Sequence, residues 1–134
     1  MKKIILAVIA TAMLVSPSLA TAPSASADTV QVSTTRTVTE TRAQYRAKVM
    51  ARNYLSYTAF SRKGLIRQLR YEGFGYSTAV YAVDHITVSW RYQAYRKAKE
   101  YLDYTVFSRS GLYDQLRYEG FTVTQATYGV NRAY

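Results

Sequence analysis

Two glutamates and one histidine are the side chains of this chain whose types could support acid–base chemistry. Glu72 and Glu119 occupy the same place in two copies of one motif, and His85 is the single histidine. A carboxylate pair can catalyse only where both groups converge in a cleft, and the sequence carries no cleft signature. Nothing pairs His85 with a nucleophile and an orienting acid. We therefore interpret the glutamates as structural, each paired with an Arg or Lys of its own repeat, and expect no enzyme activity.

Thiol and metal chemistry have no residues to carry them. The chain contains no cysteine, which excludes disulfides, thiol catalysis and cysteine metal sites. His, Asp and Glu do not recur at metal-ligand spacing. The sequence therefore predicts no metal site and no cofactor.

Positive charge and tyrosine are the strongest signals of composition. The 134 residues include 18 Lys and Arg against 8 Asp and Glu, a formal charge of +10. This balance predicts an acidic partner: nucleic acid, anionic cell-wall polymer or anionic lipid. The 14 tyrosines could add a stacking or binding surface, or could be core residues with their hydroxyls at the rim. We expect a core position for Tyr54, Tyr71, Tyr81, Tyr101, Tyr118 and Tyr128, and exposure for Tyr76, Tyr95 and Tyr113.

One fifteen-residue stretch occurs twice, at residues 60–74 and 107–121, and the copies differ at three positions. Its serine suits an N-cap, where the hydroxyl accepts a first-turn N–H. The preceding phenylalanine and a leucine at the fourth helical position have the spacing of a hydrophobic staple. The closing Gly-Phe pair is typical of a Schellman stop. The residues assigned to this structural motif are Phe60, Ser61, Gly64, Leu65, Leu69, Gly73, Phe74, Phe107, Ser108, Gly111, Leu112, Leu116, Gly120 and Phe121.

The repetition extends on both sides of this stretch at an offset of 47 residues, the separation of Phe107 from Phe60,. Each copy has an alanine-containing helix before the stretch, starting near Tyr45 or Trp90, and a shorter helix after it, starting near Ser77 or Thr124. The second and third helices have helix-turn-helix proportions. The sequence therefore predicts an all-α fold of two tandem three-helix repeats, each containing a helix-turn-helix, packed together after a signal peptide and a flexible spacer.

The repeats are assigned to residues 44–87 and 88–134, with residues 84–89 as the hinge between them. Ser89 is predicted to cap the first helix of the second repeat. Thr122 and Gln125 have capping-box spacing, and the same place in the first repeat holds Gly75, a weaker cap.

Residues 1–27 are typical of a secretory signal peptide. A positive start is followed by an apolar run over residues 4–15 and by Ala25-Ser26-Ala27 as a cleavage motif, with Ala20 as a second possible cleavage position,. A membrane anchor is the alternative, but the run is shorter than the roughly 20 residues that span a bilayer. Residues 28–43 are rich in threonine and predict a flexible spacer. One short strand at Val30 and Val32 is the alternative there.

The repeated motif resembles that of the Ltp-type host cell surface-exposed lipoproteins, whose tandem helix-turn-helix repeats carry Phe-Ser-Arg-x-Gly-Leu-x-x-Gln-Leu-x-x-Glu-Gly-Phe. Both copies match, as do Ala-Lys-Glu-Tyr-Leu at residues 98–102 and Tyr-Ala-Val-Asp at residues 81–84. The resemblance covers about residues 45–134 and implies an all-helical repeat module displayed outside the cell membrane. In the phage member that names the family, the implied role is superinfection exclusion: DNA injection by an incoming phage is blocked through an injected phage component, thought to be the tape-measure protein.

This chain departs from that pattern because it has no cysteine to carry a lipid. We expect it to be secreted, wall-associated or held by an uncleaved signal anchor, with no membrane span in the mature chain. Three hypotheses follow. The first is a non-enzymatic binding module, acting in phage exclusion on a protein partner. The second is a surface protein that binds anionic cell-wall polymer. The third is a nucleic-acid-binding protein, which is disfavoured because the third helix of the first repeat has no Arg or Lys.

Capping, stapling and core packing leave part of the repeated motif without a structural explanation. These residues are polar, occur in both copies and are nominated for partner binding: Arg62, Gln68, Arg70, Arg109, Gln115 and Arg117.

Overall fold

The computed structural model describes residues 39–134, and this range folds into six α-helices without a strand. Repeat 1 contains α1 (Arg42–Tyr57), α2 (Arg62–Tyr71) and α3 (Tyr76–Asp84); repeat 2 contains α4 (Trp90–Tyr104), α5 (Arg109–Tyr118) and α6 (Val123–Ala133). The all-α fold of two three-helix repeats is confirmed. The predicted signal peptide and most of the predicted spacer lie outside the described residues.

The helices of the repeated motif begin at the predicted caps. The Ser61 hydroxyl accepts the N–H of Gly64 at 2.9 Å, and the Ser108 hydroxyl accepts the N–H of Gly111 at 3.0 Å. Ser89 caps α4, Gly75 precedes α3 without a side-chain bond, and the Thr122 capping box forms at the start of α6. These N-caps are confirmed.

The Gly-Phe stops are Schellman motifs in both repeats. Gly73 has a φ of 93° and Gly120 a φ of 100°, which favours glycine because a Cβ is strained there. The Phe74 N–H donates to the Leu69 carbonyl at 3.1 Å, and the Gly73 N–H donates to the Arg70 carbonyl at 3.0 Å. The matching bonds in repeat 2 have the same lengths. Two otherwise unpaired carbonyls at each helix end are thereby satisfied.

The start of α1 differs from the sequence prediction. The helix begins at Arg42, three residues before Tyr45 and inside the segment assigned to the spacer. Thr41 and Gln44 form a capping box there: the Thr41 hydroxyl accepts the Gln44 N–H at 3.1 Å, and the Gln44 side chain accepts the Thr41 N–H at 2.8 Å. The threonine-rich composition obscured this signal, although its spacing satisfies the capping-box rule.

Each repeat has its own hydrophobic core. Leu65 and Leu69 are fully buried in repeat 1, as are their counterparts Leu112 and Leu116 in repeat 2. Alanines of α1 and α4 complete the cores; they have 0% exposure and allow the third helix of each repeat to approach closely: Ala47, Ala51, Ala94 and Ala98. This confirms the role predicted for the alanine spacing.

The connector between α3 and α4 is packed, in contrast to the hinge predicted from sequence. Ile86 is buried in the core of repeat 1, and Val88 and Trp90 pack against that core. Because Trp90 is the first residue of α4, repeat 2 starts from a point fixed on repeat 1. Among residues 39–134, no helix has the length and apolar character needed to cross a membrane.

Candidate functional site

The two motif glutamates are held by tyrosine and glutamine, which corrects the prediction that an Arg or Lys pairs with them. The Tyr54 hydroxyl donates to the Glu72 carboxylate, and the Gln68 amide donates to the Tyr54 oxygen at 3.1 Å. In repeat 2 the Tyr101 hydroxyl donates to Glu119, and Gln115 donates to Tyr101 at 3.0 Å. A carboxylate in the last helical turn opposes the helix dipole. A charge-assisted bond from the tyrosine offsets that cost.

These triads raise the pKa of both tyrosines. Burial and then the bond to Glu119 raise the pKa of Tyr101 to about 12. Burial and then the bond to Glu72 raise the pKa of Tyr54 as well. Both causes disfavour a phenolate next to a carboxylate.

Tyr101 is expected to ionise only at strongly alkaline pH, because burial and the bond to Glu119 raise its pKa to about 12. In a spectrophotometric titration, Tyr101→Phe should remove a component with a pKa of about 12. Because the folded pKa is above the unfolded value of 10.0, the stabilisation is complete below that pH and is lost as the pH rises towards 12. A Tyr101→Phe titration curve that kept the component with a pKa of about 12 would contradict the assignment.

The arginines nominated for binding at the start of α2 and α5 contact residues of their own repeat. Arg62 forms a two-pronged ion pair with Asp84, with both N–O distances 2.7 Å. Arg109 lies at the equivalent position and donates to the Asn131 amide oxygen at 3.2 Å. The Arg109 guanidinium also lies 5.3 Å from the centre of the Tyr134 ring. These contacts join the start of the second helix to the end of the third.

The remaining nominated residues also have partners inside the protein. Arg70 lies 5.7 Å from the centre of the Tyr76 ring, and Arg117 donates to the Phe121 carbonyl at 3.0 Å. Gln68 and Gln115 belong to the tyrosine triads. The reason for nominating the six residues, that they had no structural role, is therefore wrong. Their role in partner binding stays a prediction.

Each repeat has a surface that we call the head, and the head of repeat 1 is where the two repeats meet. It consists of the end of a repeat's first helix, the loop that follows and the cap of the second helix: Leu55, Thr58, Ala59 and Ser61 in repeat 1, and Leu102, Thr105, Val106 and Ser108 in repeat 2. Glu100 of α4 fills the head of repeat 1. Its carboxylate accepts the Thr58 hydroxyl at 2.7 Å and the Ala59 N–H at 2.8 Å. Lys97 lies 2.9 Å from the same carboxylate.

Two backbone carbonyls complete the contact between the repeats. The Arg96 guanidinium donates to the Leu55 carbonyl at 2.8 Å. The Ser61 hydroxyl donates to the Glu119 carbonyl at 2.6 Å. The carbonyl end of α5 therefore faces the N-terminus of α2, an arrangement that the opposite ends of two helix dipoles favour. Arg96, Lys97 and Glu100 are contact residues that the sequence did not identify as such. The available signal was a difference between the repeats, since repeat 1 has Val49, Met50 and Asn53 at these positions.

Glu100→Gln is expected to destabilise the protein by about 2 kcal/mol at neutral pH, because the carboxylate accepts three charge-assisted bonds. Burial alone would raise the pKa of Glu100, but the bonds from Lys97, Thr58 and Ala59 together hold the pKa below its usual value of 4.5. The stabilisation is therefore present above pH 4.5 and is lost as the pH falls through the lower folded value. Urea unfolding of both proteins across this range measures it.

Asp103→Asn is the control for Glu100→Gln, because Asp103 is an exposed acid of the same helix without an ion pair in the described range. It should leave the free energy of unfolding at neutral pH close to that of the native protein. A Glu100→Gln deficit that is equally large at acid and neutral pH would contradict the proposed role of the charge.

The outer surface is cationic. Residues 39–134 contain 15 Lys and Arg and 7 Asp and Glu. Three of the cations, Lys48, Arg62 and Lys97, form ion pairs, so the other 12 are not neutralised by a carboxylate of the described range. This surface is suited to an acidic partner.

Eight of the 14 tyrosines are exposed, which corrects part of the sequence prediction. Tyr71 is 73% exposed and Tyr118 is 83% exposed, although both were expected in the core. Tyr95 and Tyr113 are half-buried, although both were expected at the surface. Exposure of Tyr76 is confirmed. Repetition in both copies therefore does not identify core tyrosines in this fold.

No group of three or more His, Cys, Asp or Glu in the range 39–134 could hold a metal ion. His85 stacks on the Tyr81 ring at 3.8 Å, and its Nδ1 lies 2.8 Å from the Tyr81 carbonyl. A shallow depression, lined by Tyr95, Arg96, Lys99, Glu100 and Asp103, lies along α4 alone.

The sequence model of the host cell surface-exposed lipoprotein family, Ltp, matches residues 40–86 and residues 89–132. The two matched segments coincide with the two repeats, and the break between them falls in the connector. The chain belongs to the Ltp family. The family is described by exposure on the host cell surface and not by an enzyme activity. The chain matches no curated protein and no solved structure.

Proposed function

We propose that this protein is a non-enzymatic, extracytoplasmic binding module that blocks phage DNA injection and so excludes superinfecting phage. The observation that carries the proposal is the Ltp match over both repeats, in a family described as surface-exposed on the host cell. The partner is a protein component that the incoming phage injects. In this proposal the module is secreted, wall-associated or held by its signal segment, because it has no cysteine to carry a lipid.

The distribution of charge supports an acidic partner. Five of the seven described acids are engaged inside the protein: Glu40, Glu72, Asp84, Glu100 and Glu119. The cations project outwards, and most have no carboxylate of the described range to neutralise them. Complementary charge accelerates encounter and selects the partner. Arg52 and Lys99 are a repeat-matched pair of this surface, both exposed and without an ion pair among residues 39–134.

The test expresses the full chain in a susceptible host and measures phage adsorption and DNA injection separately. Adsorption should be normal and injection reduced. A variant with Arg52→Glu and Lys99→Glu should restore injection, whereas Arg52→Lys should not, because it keeps the charge. Normal injection in cells that display the native chain at their surface would contradict the proposal.

A second candidate function, binding of anionic cell-wall polymer, is favoured by the 12 cations that lack an ion pair in the described range. Exposed charges separated by more than a Debye length are screened, so polymer binding of this kind weakens steeply with salt. Purified cell walls should then retain the protein at low salt and release it as salt rises. Retention that does not respond to salt, or no retention, excludes this function.

Duplex DNA binding is not supported by the third helices. α3 contains no Arg or Lys, and the one arginine of α6, Arg132, lies 5.3 Å from the centre of the Tyr95 ring. Base reading in the major groove requires hydrogen-bonding side chains along the recognition helix.

A further inference from the structure

The two heads have matching backbone angles at their threonine and their serine, but α4 covers the head of repeat 1, whereas no helix of the described range covers the head of repeat 2. The Tyr134 hydroxyl donates to the Phe107 carbonyl there and leaves the Val106 N–H and the Thr105 hydroxyl without a partner among residues 39–134. Thr58 has φ and ψ of −150° and 162°, and Thr105 has −160° and 165°. Ser61 has −75° and 160°, and Ser108 has −73° and 160°. The loop of repeat 2 is therefore entered and left with the same backbone angles as the loop that binds Glu100 in repeat 1.

The head of repeat 1 shows which ligand this arrangement accepts. A helix crosses it and presents an arginine to the end carbonyl of the first helix and, four residues later, a glutamate to the loop. The glutamate carboxylate accepts hydrogen bonds from the loop N–H and from the threonine hydroxyl. These donors are a backbone group and a side chain that repeat 2 also has, at Val106 and Thr105.

The corresponding groups of repeat 2 are exposed. Val106 is 96% exposed, whereas Ala59 is 0% exposed. Neither the Val106 N–H nor the Thr105 hydroxyl has a hydrogen-bond partner among residues 39–134. Ser108 is exposed and contacts its own turn, through the Gly111 N–H and the Ser110 hydroxyl at 3.3 Å. Arg109 beside this loop faces the amide of Asn131 instead of a carboxylate.

We propose that the head of repeat 2 is a docking site for a helix of another protein that carries an Arg or Lys and, four residues later, a Glu. The helix supplies a carboxylate to the Val106 N–H and the Thr105 hydroxyl, and a cation to the Leu102 carbonyl. Val106 has a larger side chain than Ala59, its counterpart in repeat 1. The docking helix must therefore have a small residue next to its Glu, where it faces Val106. The site does not depend on a role in phage exclusion.

A second copy of this chain is a poor occupant. Its α4 is already engaged by its own repeat 1. Its α1 carries Val49 and Asn53 where α4 carries Arg96 and Glu100, and so offers neither the cation nor the carboxylate. Two chains that are both strongly cationic also repel each other.

The test tethers a copy of α4, the helix that contacts the head of repeat 1, beside the head of repeat 2. A copy of residues 88–134 is added directly after Tyr134, which preserves the repeat offset because Tyr134 corresponds to Thr87. The tether gives the added α4 a high effective concentration at the head of repeat 2. Amide hydrogen exchange of residue 106 is measured in the two-repeat and three-repeat chains, each with Val106 and with Val106→Ala. Circular dichroism verifies that the added repeat is helical.

The expected result is that exchange at residue 106 slows by about tenfold or more in the three-repeat chain. The slowing should be lost when the Glu100 equivalent of the added copy is changed to Ala. The site is supported if amide exchange at residue 106 slows in the Val106 chain or in the Val106→Ala chain, and if that slowing requires the added glutamate. No slowing in either form, or slowing that survives the Glu→Ala change, overturns it. Slowing in the two-repeat chain that grows with protein concentration would assign the head to a second copy and also overturn the proposal.

Discussion

Gly129→Ala is expected to destabilise the protein by about 2–3 kcal/mol, although the same change inside a helix ordinarily stabilises by about 1 kcal/mol. Gly129 lies in α6 against the backbone of α4. A Cβ at this position would lie 2.7 Å from the Ala94 carbonyl carbon and 2.8 Å from its oxygen. Backbone atoms cannot move aside as a flexible side chain can, so the two helices must separate and expose part of their core.

Ala82→Gly is the matched control, because Ala82 occupies the equivalent position in α3. Ala82 is fully buried, so its loss should cost about 1 kcal/mol in helix propensity and leave a small void. Urea unfolding followed by far-UV circular dichroism measures both variants. A Gly129→Ala protein that is as stable as the native protein, or more stable, would contradict the close contact of α4 and α6.

Gly120→Ala should cost more than Gly73→Ala, although both glycines end a helix with positive φ. A Cβ added at Gly73 would have no neighbouring atom within 4 Å among the described residues, so Gly73→Ala carries only the left-handed strain of about 1–2 kcal/mol. At Gly120 the Cβ would lie 3.0 Å from both the Lys63 Cβ and the Ser61 hydroxyl of repeat 1. Strain and overpacking together should cost about 3 kcal/mol.

The comparison isolates the contact between the repeats, because the backbone strain is common to both variants. Urea unfolding at neutral pH gives the two free energies. Combining Gly120→Ala with Glu100→Gln should cost less than the sum of the single changes, since both act on the same interface. Equal costs for Gly120→Ala and Gly73→Ala would mean that the repeats do not meet at this glycine.

Local spacing is enough to predict most of the helical architecture. Serine caps, Gly-Phe stops and the Thr122 capping box are set by residues that lie three to five positions apart, and their bonds do not depend on a tertiary contact,. The start of α1 escapes prediction for a different reason. Thr41 and Gln44 satisfy the same rule, but the threonine-rich composition around them favours a spacer.

Contacts between distant residues could not be predicted from spacing. Ser61 and the Glu119 carbonyl are 58 positions apart, and the Ala59 N–H and Glu100 are 41 apart. Each contact pairs one part of repeat 1 with a different part of repeat 2. Comparing equivalent positions of the two repeats therefore does not reveal it. The tyrosine triads could have been predicted more easily. Tyr54, Gln68 and Glu72 all recur at the offset of 47 residues, and three polar residues that recur together outside the core can be expected to pair with one another.

Amide exchange of the native protein at residues 59 and 106 tests the filled and free heads most directly. The Ala59 N–H is bonded to Glu100 at 2.8 Å and the side chain is buried, whereas the Val106 N–H has no partner among residues 39–134 and its residue is 96% exposed. We predict that Ala59 exchanges slowly, that Glu100→Gln accelerates it, and that Val106 exchanges near the rate of an unstructured peptide. Equal exchange at the two amides would contradict the docking of the repeats through one head.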